Sequence, residues 1–525
     1  MADKIFRNGE IIDGTGTSRV KADLAVQGDK IVAVGDLKDM RAAEEIDITG
    51  KVLTPGFIDM HSHTDMSIAY IPEADSLLYQ GITTAVTGHC GVSPAPITDK
   101  NRAEFRNPEE YKDIDLPWER MDTMGGWLKY LEEIGTSLNI TPIVGQGLIR
   151  SAVVGLSMDR PTEDQMEEMQ RLVEVAMDEG AIGISTGLIY PPGSYASTEE
   201  LIEVTKPVGR RGGIYFSHIR DEGFRLIEST KEEIEIGRKT GTALHHSHFK
   251  AAGRDNWEKA EPALKLIDEA IAEGIDMTSD MYPYTAGATS LVAILPEWAQ
   301  EGGWEEIAKR LVDKATRVKM EQSMKTEGFF SVAEWDKVLI AGSANPEHSG
   351  KYISELSSAA GKTAYDWIFD ALLETKGQIG MILFMMSEDN VKMQFHRPWM
   401  MVGTDASGMP FEGPFAQGGH PRAFGTFPRF LGKYVREEGV MPLTEAVYRI
   451  TGMPAKKLGF KDRGLIKAGY QADLVVFDPV AILDKSDFIN TVQKPVGIDY
   501  VFVNGQLVIK NNVHTHARPG VVTTH

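Results

Sequence analysis

Side chains that bind metal ions recur along this chain in short, separated clusters. His61 and His63 come first, in Gly56-Phe57-Ile58-Asp59-Met60-His61-Ser62-His63. Cys90 follows in Gly88-His89-Cys90-Gly91, then His218 after Ser217, and His248 in His245-His246-Ser247-His248-Phe249-Lys250. Asp405 closes the set in Gly403-Thr404-Asp405. Thiolate, imidazole and carboxylate are the ligands that zinc takes. A zinc ion lowers the pKa of bound water to about 7 and polarises a carbonyl. A nearby carboxylate can then carry the water proton to the leaving group. The chemistry implied is metal-assisted hydrolysis.

Spacing sharpens the reading. His61 and His63 are two apart, so on a strand both rings face one side and can reach one ion. Cys90 lies between glycines that let backbone approach closely, and its thiolate is a good zinc ligand. His218 and His248 each close a β-like run. Alternation would put His246 and His248 on one face and His245 on the other. His248, at the strand-to-loop boundary, is then the ligand and His246 a support one layer deeper. Asp405 follows the apolar run Met400-Met401-Val402 and reads as a ligand or general base, with a helix cap as the plainer alternative.

Ligands scattered at strand ends require a scaffold that gathers strand ends. The middle of the chain alternates strand-like and helix-like stretches. Candidate strands end near His63, Cys90, Leu148, Leu188, His218, His248, Met281 and Asp405. That pattern predicts an α/β fold, a (β/α)8 barrel with its chemistry at the C-terminal ends of the strands. Pro161-Thr162-Glu163-Asp164 starts a helix that Gly180 stops, with Met166, Met169, Val173 and Ala176 on its inner face. Residues 290–345 are too long for one crossover and read as an inserted lid subdomain. Residues 1–55 and 461–525 are β-rich, with a hairpin over 22–35 and an Asn504-Gly505 turn. They predict one flanking β-sandwich built from both termini, around a barrel over 56–460.

Bulk properties narrow the function. The net charge of -21 argues against nucleic acid as a partner. Cys90 is the one cysteine, which rules out an internal disulfide and suits a reducing compartment. The N-terminus lacks the apolar core of a secretory signal, and no apolar run reaches the roughly 18 residues that span a bilayer. These features predict a cytoplasmic protein that acts on small molecules without nucleic acid or membrane. Homo-oligomer formation stays open.

The first-strand motif Pro55-Gly56-Phe57-Ile58-Asp59-Met60-His61-Ser62-His63 resembles that of the amidohydrolase superfamily. Within it the chain resembles the N-acyl-D-amino-acid deacylase (D-aminoacylase) family. Gly88-His89-Cys90-Gly91, Gly187-Leu188-Ile189-Tyr190-Pro191-Pro192-Gly193, Asp280-Met281-Tyr282-Pro283-Tyr284 and His420-Pro421-Arg422-Ala423-Phe424-Gly425 carry that resemblance. It implies a tightly held zinc on Cys90, His218 and His248, and a second, weaker position near His61, His63 and Asp405. It implies Asp405 as the catalytic carboxylate. It also implies that Tyr190, Lys250, Tyr282 and Arg422 hold the substrate, an N-acyl amino acid, by its carboxylate and neighbouring atoms. His89 departs from the Asn that family members carry there.

Other readings remain. A dipeptidase or another N-acyl amino acid amidohydrolase would use the same groups. A cyclic-amide hydrolase of the superfamily would need a lysine at the end of the fourth strand, and Ala181-Ile182-Gly183-Ile184-Ser185-Thr186-Gly187-Leu188 has none. An inactive binding homologue would have lost ligands, whereas every ligand position here is filled.

Overall fold

The computed structural model describes residues 1–102, 114, 116–326 and 334–524. At the N-terminus, Asp23–Gln27 and Lys30–Gly35 pair antiparallel, and Ala2–Arg7 and Ala42–Asp47 complete a four-stranded sheet. A seven-stranded sheet opposes it and mixes the two ends of the chain. Val52–Pro55 pairs with Leu474–Phe477, which pairs with Ile498–Val503. Phe6, Leu24, Val26 and Ile31 meet Leu53, Leu474, Val476 and Phe502 in one buried cluster between the sheets. Asn504 and Gly505 turn the hairpin between Ile498–Val503 and Gln506–Lys510 with φ of 47° and 76°. Those left-handed values suit a tight two-residue hairpin and the right-handed twist of its strands.

Beyond Pro55 the chain builds a ring of parallel strands. They are β1 (Phe57–Ser62), β2 (Ile82–Thr87), β3 (Asn139–Pro142, continued by Val144–Gly145) and β4 (Gly183–Gly187). β5 (Ile214–His218), β6 (Ala243–His246), β7 (Met277–Met281) and β8 (Met400–Val402) complete it. Pairing runs β1-β2-β3, then from the continuation of β3 through β4, β5, β6 and β7 to β8. The ring closes where β8 meets β1. Ser62 bridges Ala406, and the Asp405 N–H donates to the His61 carbonyl at 2.7 Å. Asp59 holds this seam by accepting from Thr404 N–H and Oγ1 at 2.8 and 2.6 Å. The result is a (β/α)8 barrel.

Helices cover the ring for local reasons. Glu163–Asp178 begins on a capping box between Thr162 and Gln165 and buries Met169, Val173 and Ala176. One expectation fails here. The third strand ends at Gly145, and Leu148 lies in the helix Gln146–Val153. A short apolar run does not tell strand from helix by itself.

Between β7 and β8 stands a three-stranded antiparallel sheet, with Ile379–Leu383 between Gly287–Ser290 and Val338–Ser343. Trp304–Val312 and Ala364–Glu374 pack beside it. Ile307, Leu311, Ile340, Ile368, Leu372 and Met381 share a core separate from that of the barrel. Among the described residues, no helix is long and apolar enough to cross a membrane.

Candidate metal centre

The barrel brings the ligand-type residues of five strands to one point. His61 lies near the end of β1 and His63 just past it. Cys90 follows β2 by a short loop, His218 ends β5, His248 lies two residues past β6, and Asp405 lies just past β8. Three of these positions have left-handed backbone: Cys90, His248 and Asp405 have φ of 54°, 38° and 49°. Non-glycine residues in that region carry strain that surrounding structure must hold in place. The loop at Cys90 shows how. Gly88 has φ 99°, and a Cβ there would stand 2.1 Å from the Ile143 carbonyl oxygen. Its N–H donates to Asp65 at 3.1 Å, which pins the turn that presents the thiol.

Two ligand sets share that thiol. Cys90, His218 and His248 form one, and His61, His63, Cys90 and Asp405 the other, with one ligand atom per residue lying within 4.8 Å of the rest of its set. His248 Nε2 lies 3.0 Å from His218 Nδ1 and 3.6 Å from Cys90 Sγ. His63 Nε2 and His61 Nε2 lie 3.0 and 3.5 Å from Asp405 Oδ1, and Cys90 Sγ lies 3.5 Å from His61 Nε2. A soft sulfur, imidazole nitrogens and a carboxylate in this arrangement fit zinc.

The electrostatics agree with that fit. Burial alone would raise the Cys90 thiol, but His61 and His63 overcome it and hold it well below its usual range. Burial would likewise raise Asp405, yet Arg422, His248 and His61 keep it well below the usual carboxylate range. Conversely, Asp280, Cys90 and Asp405 outweigh burial and push His61 up to about 10. The anions therefore collect positive charge, and a metal ion can replace those ring protons.

A further layer orients the rings. Asp280, on β7, accepts from the His248 backbone N–H at 3.1 Å and lies 2.9 Å from His245 Nε2 and 3.4 Å from His61 Nδ1. Glu222 Oε1 lies 3.1 Å from His248 Nδ1 and accepts from Lys250 Nζ at 2.7 Å. Carboxylates on the far nitrogens of ligand histidines fix tautomer and ring angle. His245 thus joins the site, while His246 points outward to Glu233, 2.6 Å away on the helix Leu226–Thr240. This reverses the expected faces. The strand ends at His246, and His248 has left-handed backbone, so period-two alternation stops before it reaches the ligand. His89 stacks on His61 at 4.0 Å between ring centroids. Burial and His61 hold it well below the usual histidine range, and among the described residues both its ring nitrogens lack a hydrogen-bond partner.

A cavity of about 330 Å³ opens over these side chains. Tyr190, Lys250, Tyr282 and Arg422 all line it. Arg422 pairs with Asp405 at 2.7 Å and covers the Tyr282 ring at 4.6 Å. Tyr190 OH reaches Thr289 Oγ1 at 2.9 Å, so the inserted sheet forms part of the wall. Tyr284 turns away, its hydroxyl donating to the Pro421 carbonyl. The sequence reading gave no role to Glu222, Asp280, His245 or the strand Gly287–Ser290. Only Asp280 had a visible signal, its position inside the quoted Asp280-Met281-Tyr282 motif.

Barrel and ligand set together define a class: the chain belongs to the amidohydrolase family. The sequence profile described as "Amidohydrolase family" matches residues 44–320 and 399–509, leaving out much of the segment inserted between β7 and β8. D-aminoacylase of Alcaligenes xylosoxydans xylosoxydans is 35% identical over 520 residues, covering 99% of this chain and 97% of that protein. This places the chain in the D-aminoacylase branch of the family. A solved D-aminoacylase, described as having a binuclear metal centre, matches with a TM-score of 0.83 at 34% identity, over 100% of both chains. N-acyl-D-glutamate deacylase of Bordetella bronchiseptica, solved with zinc and a phosphonate mimic of the tetrahedral intermediate, matches with a TM-score of 0.84 at 32% identity, again over 100% of both chains.

Proposed function

We propose that this chain is a zinc-dependent amidohydrolase that cleaves N-acyl-D-amino acids to a carboxylate and a free D-amino acid. The observation that carries this reading is the Cys90 thiol shared by two ligand sets beneath a cavity that also presents Lys250 and Arg422. Full-length similarity to deacylases of N-acyl-D-amino acids supports it. Cys90, His218 and His248 hold the tightly bound zinc. His61, His63 and Asp405, with Cys90, offer the second, weaker position. Bound zinc supplies Lewis-acid polarisation of the acyl oxygen and acidifies water.

The chain's own groups do the rest. Asp405 is ionised and stands at the metal set, so it can take a proton from water. It then returns that proton to the amide nitrogen, which cannot leave as an anion at neutral pH. Arg422 and Lys250 hold the substrate carboxylate, with the Tyr190 and Tyr282 hydroxyls beside it. Charge balance supports an anionic substrate. Around the cavity, Cys90, Glu222 and Asp405 are set against Lys250 and Arg422, and a divalent ion leaves one positive charge for one carboxylate. Val92, Ile189, Leu383 and Met385 complete the wall and suit an uncharged side chain. The inserted subdomain supplies Ala288, Thr289 and Leu383 to that wall, and we assign it the role of a lid. The absence of a lysine on β4 weighs against a cyclic-amide hydrolase, whose bridging group would sit there. One buried cysteine without a disulfide partner suits a cytoplasmic setting.

The carboxylate clamp gives a direct test. Losing a charge-assisted contact of about 1.5–3 kcal/mol should lower kcat/KM by roughly 10- to 100-fold. Arg422→Met should show that loss on N-acyl amino acids. On N-acyl amines and amino-acid amides, which lack the carboxylate, the loss should be far smaller. Equal slowing of both classes would mean that this site does not read a carboxylate.

A further inference from the structure

Outside the barrel centre, a second group of ligand-type side chains joins the C-terminal segment to the barrel. Glu73 lies between β1 and the short helix Asp75–Leu78, while His514 ends the strand Val513–His514 and His516 lies two residues on. His516 Nδ1 stands 3.1 Å from both carboxylate oxygens of Glu73, and His514 Nδ1 stands 3.8 Å from one of them. One ligand atom from each of the three lies within 4.8 Å of the others. The His516 backbone is left-handed, with φ 63°, a strained state for a residue other than glycine.

Unpartnered polar atoms also occur on and beside this group. His514 is only 8% exposed, yet among the described residues its Nε2 has no hydrogen-bond partner, and neither has the buried Oδ1 of neighbouring Asp75. Buried polar atoms nearly always find partners, so each orphan requires an explanation.

We propose that Glu73, His514 and His516 bind a divalent transition ion of the zinc or nickel class, which fastens the C-terminal segment to the barrel. Two imidazoles and a carboxylate make a recognised donor set for such ions. His514 can offer Nδ1, 3.8 Å from Glu73, once it gives up the 2.9 Å contact from the His516 N–H. Beyond His516 the chain docks on β3: the Ile140 N–H donates to Val521, and Thr523 N–H to Ile140. An ion at His514 and His516 would anchor this docked tail at its start. Arg518 works against the ion, since its Nη2 lies 3.4 Å from Glu73, and Lys494 acts on Asp75 in the same sense. The rival arrangement is a plain set of contacts from Glu73 to Arg518 and His516, with no ion.

The test uses the untagged chain, first loaded with zinc at both barrel positions and then titrated with Ni2+ or Zn2+ by calorimetry. The wild type should bind one further equivalent. Glu73→Gln and His516→Ala should each weaken it at least about tenfold, in line with losing one ligand. Arg518→Ala should tighten it, and kcat/KM should not change in any of the three. Hydrogen exchange over 513–523 should slow when the ion binds. No further equivalent, or one that both ligand variants bind as tightly as the wild type, would overturn the proposal.

Discussion

Asp405→Asn protein should lose at least about 10²-fold in kcat, the low end for a general acid–base group, while binding substrate as well as the wild type or better. The carboxylate is nine-tenths buried and held ionised by Arg422, with His63 at 3.0 Å. An amide at that position cannot take up the water proton, so the loss falls on the transition state and not on the ground state. Arg422, released from its ion pair, then has more capacity for the substrate carboxylate. KM should therefore stay level or fall. A rise in KM with kcat unchanged would show that Asp405 binds substrate and does not move protons.

The second large effect belongs to Cys90. Both ligand sets include its sulfur, so one substitution weakens both positions. Losing only the hydrogen-bond partner of a ligand costs roughly 10- to 100-fold in metal affinity, and losing the thiolate itself should cost more. Cys90→Ala, purified without added metal, should retain little zinc and little activity. Cys90→Ser preserves the volume of the side chain and should fail in the same way, because a neutral hydroxyl is a poor zinc ligand. Its melting temperature in the presence of a chelator should match that of similarly treated wild type. Zinc content equal to wild type in either variant would remove Cys90 from the centre.

Much of this centre is legible in the sequence because a parallel barrel turns chain order into a ring. His61, His63, Cys90, His218, His248 and Asp405 each follow an apolar run, and strand ends meet at one mouth. The terminal sandwich is legible for a similar reason, since period-two runs with Gly-Asp and Asn-Gly turns have few other solutions. What is hidden depends on tertiary contacts. Glu222 is one carboxylate in the charged stretch Arg220-Asp221-Glu222, and only the approach of Lys250 and His248 gives it a role. Asp280 becomes an orienting group because β6 and β7 bring His245 and His248 to it. His245 and His246 exchange their expected faces because the regular strand stops before His248. Strand Gly287–Ser290 reaches the cavity from a separately packed sheet, which no periodicity on β7 foretells. Leu148 shows the opposite failure, an apolar run whose local pattern suits strand and helix equally.

In the proposed site, the angle between the carboxylate clamp and the metal set selects one hand of the substrate. With Arg422 and Lys250 fixing the carboxylate, only one enantiomer can direct its acyl carbon at Asp405 and the ligands. A misplacement of about 1 Å in such a site costs on the order of 10²-fold in rate. The direct measurement is kcat/KM of the zinc-loaded enzyme for N-acetyl-D-methionine and N-acetyl-L-methionine, side by side. The D form should be favoured by at least about 10²-fold. Equal rates, or a preference for the L form, would contradict this account.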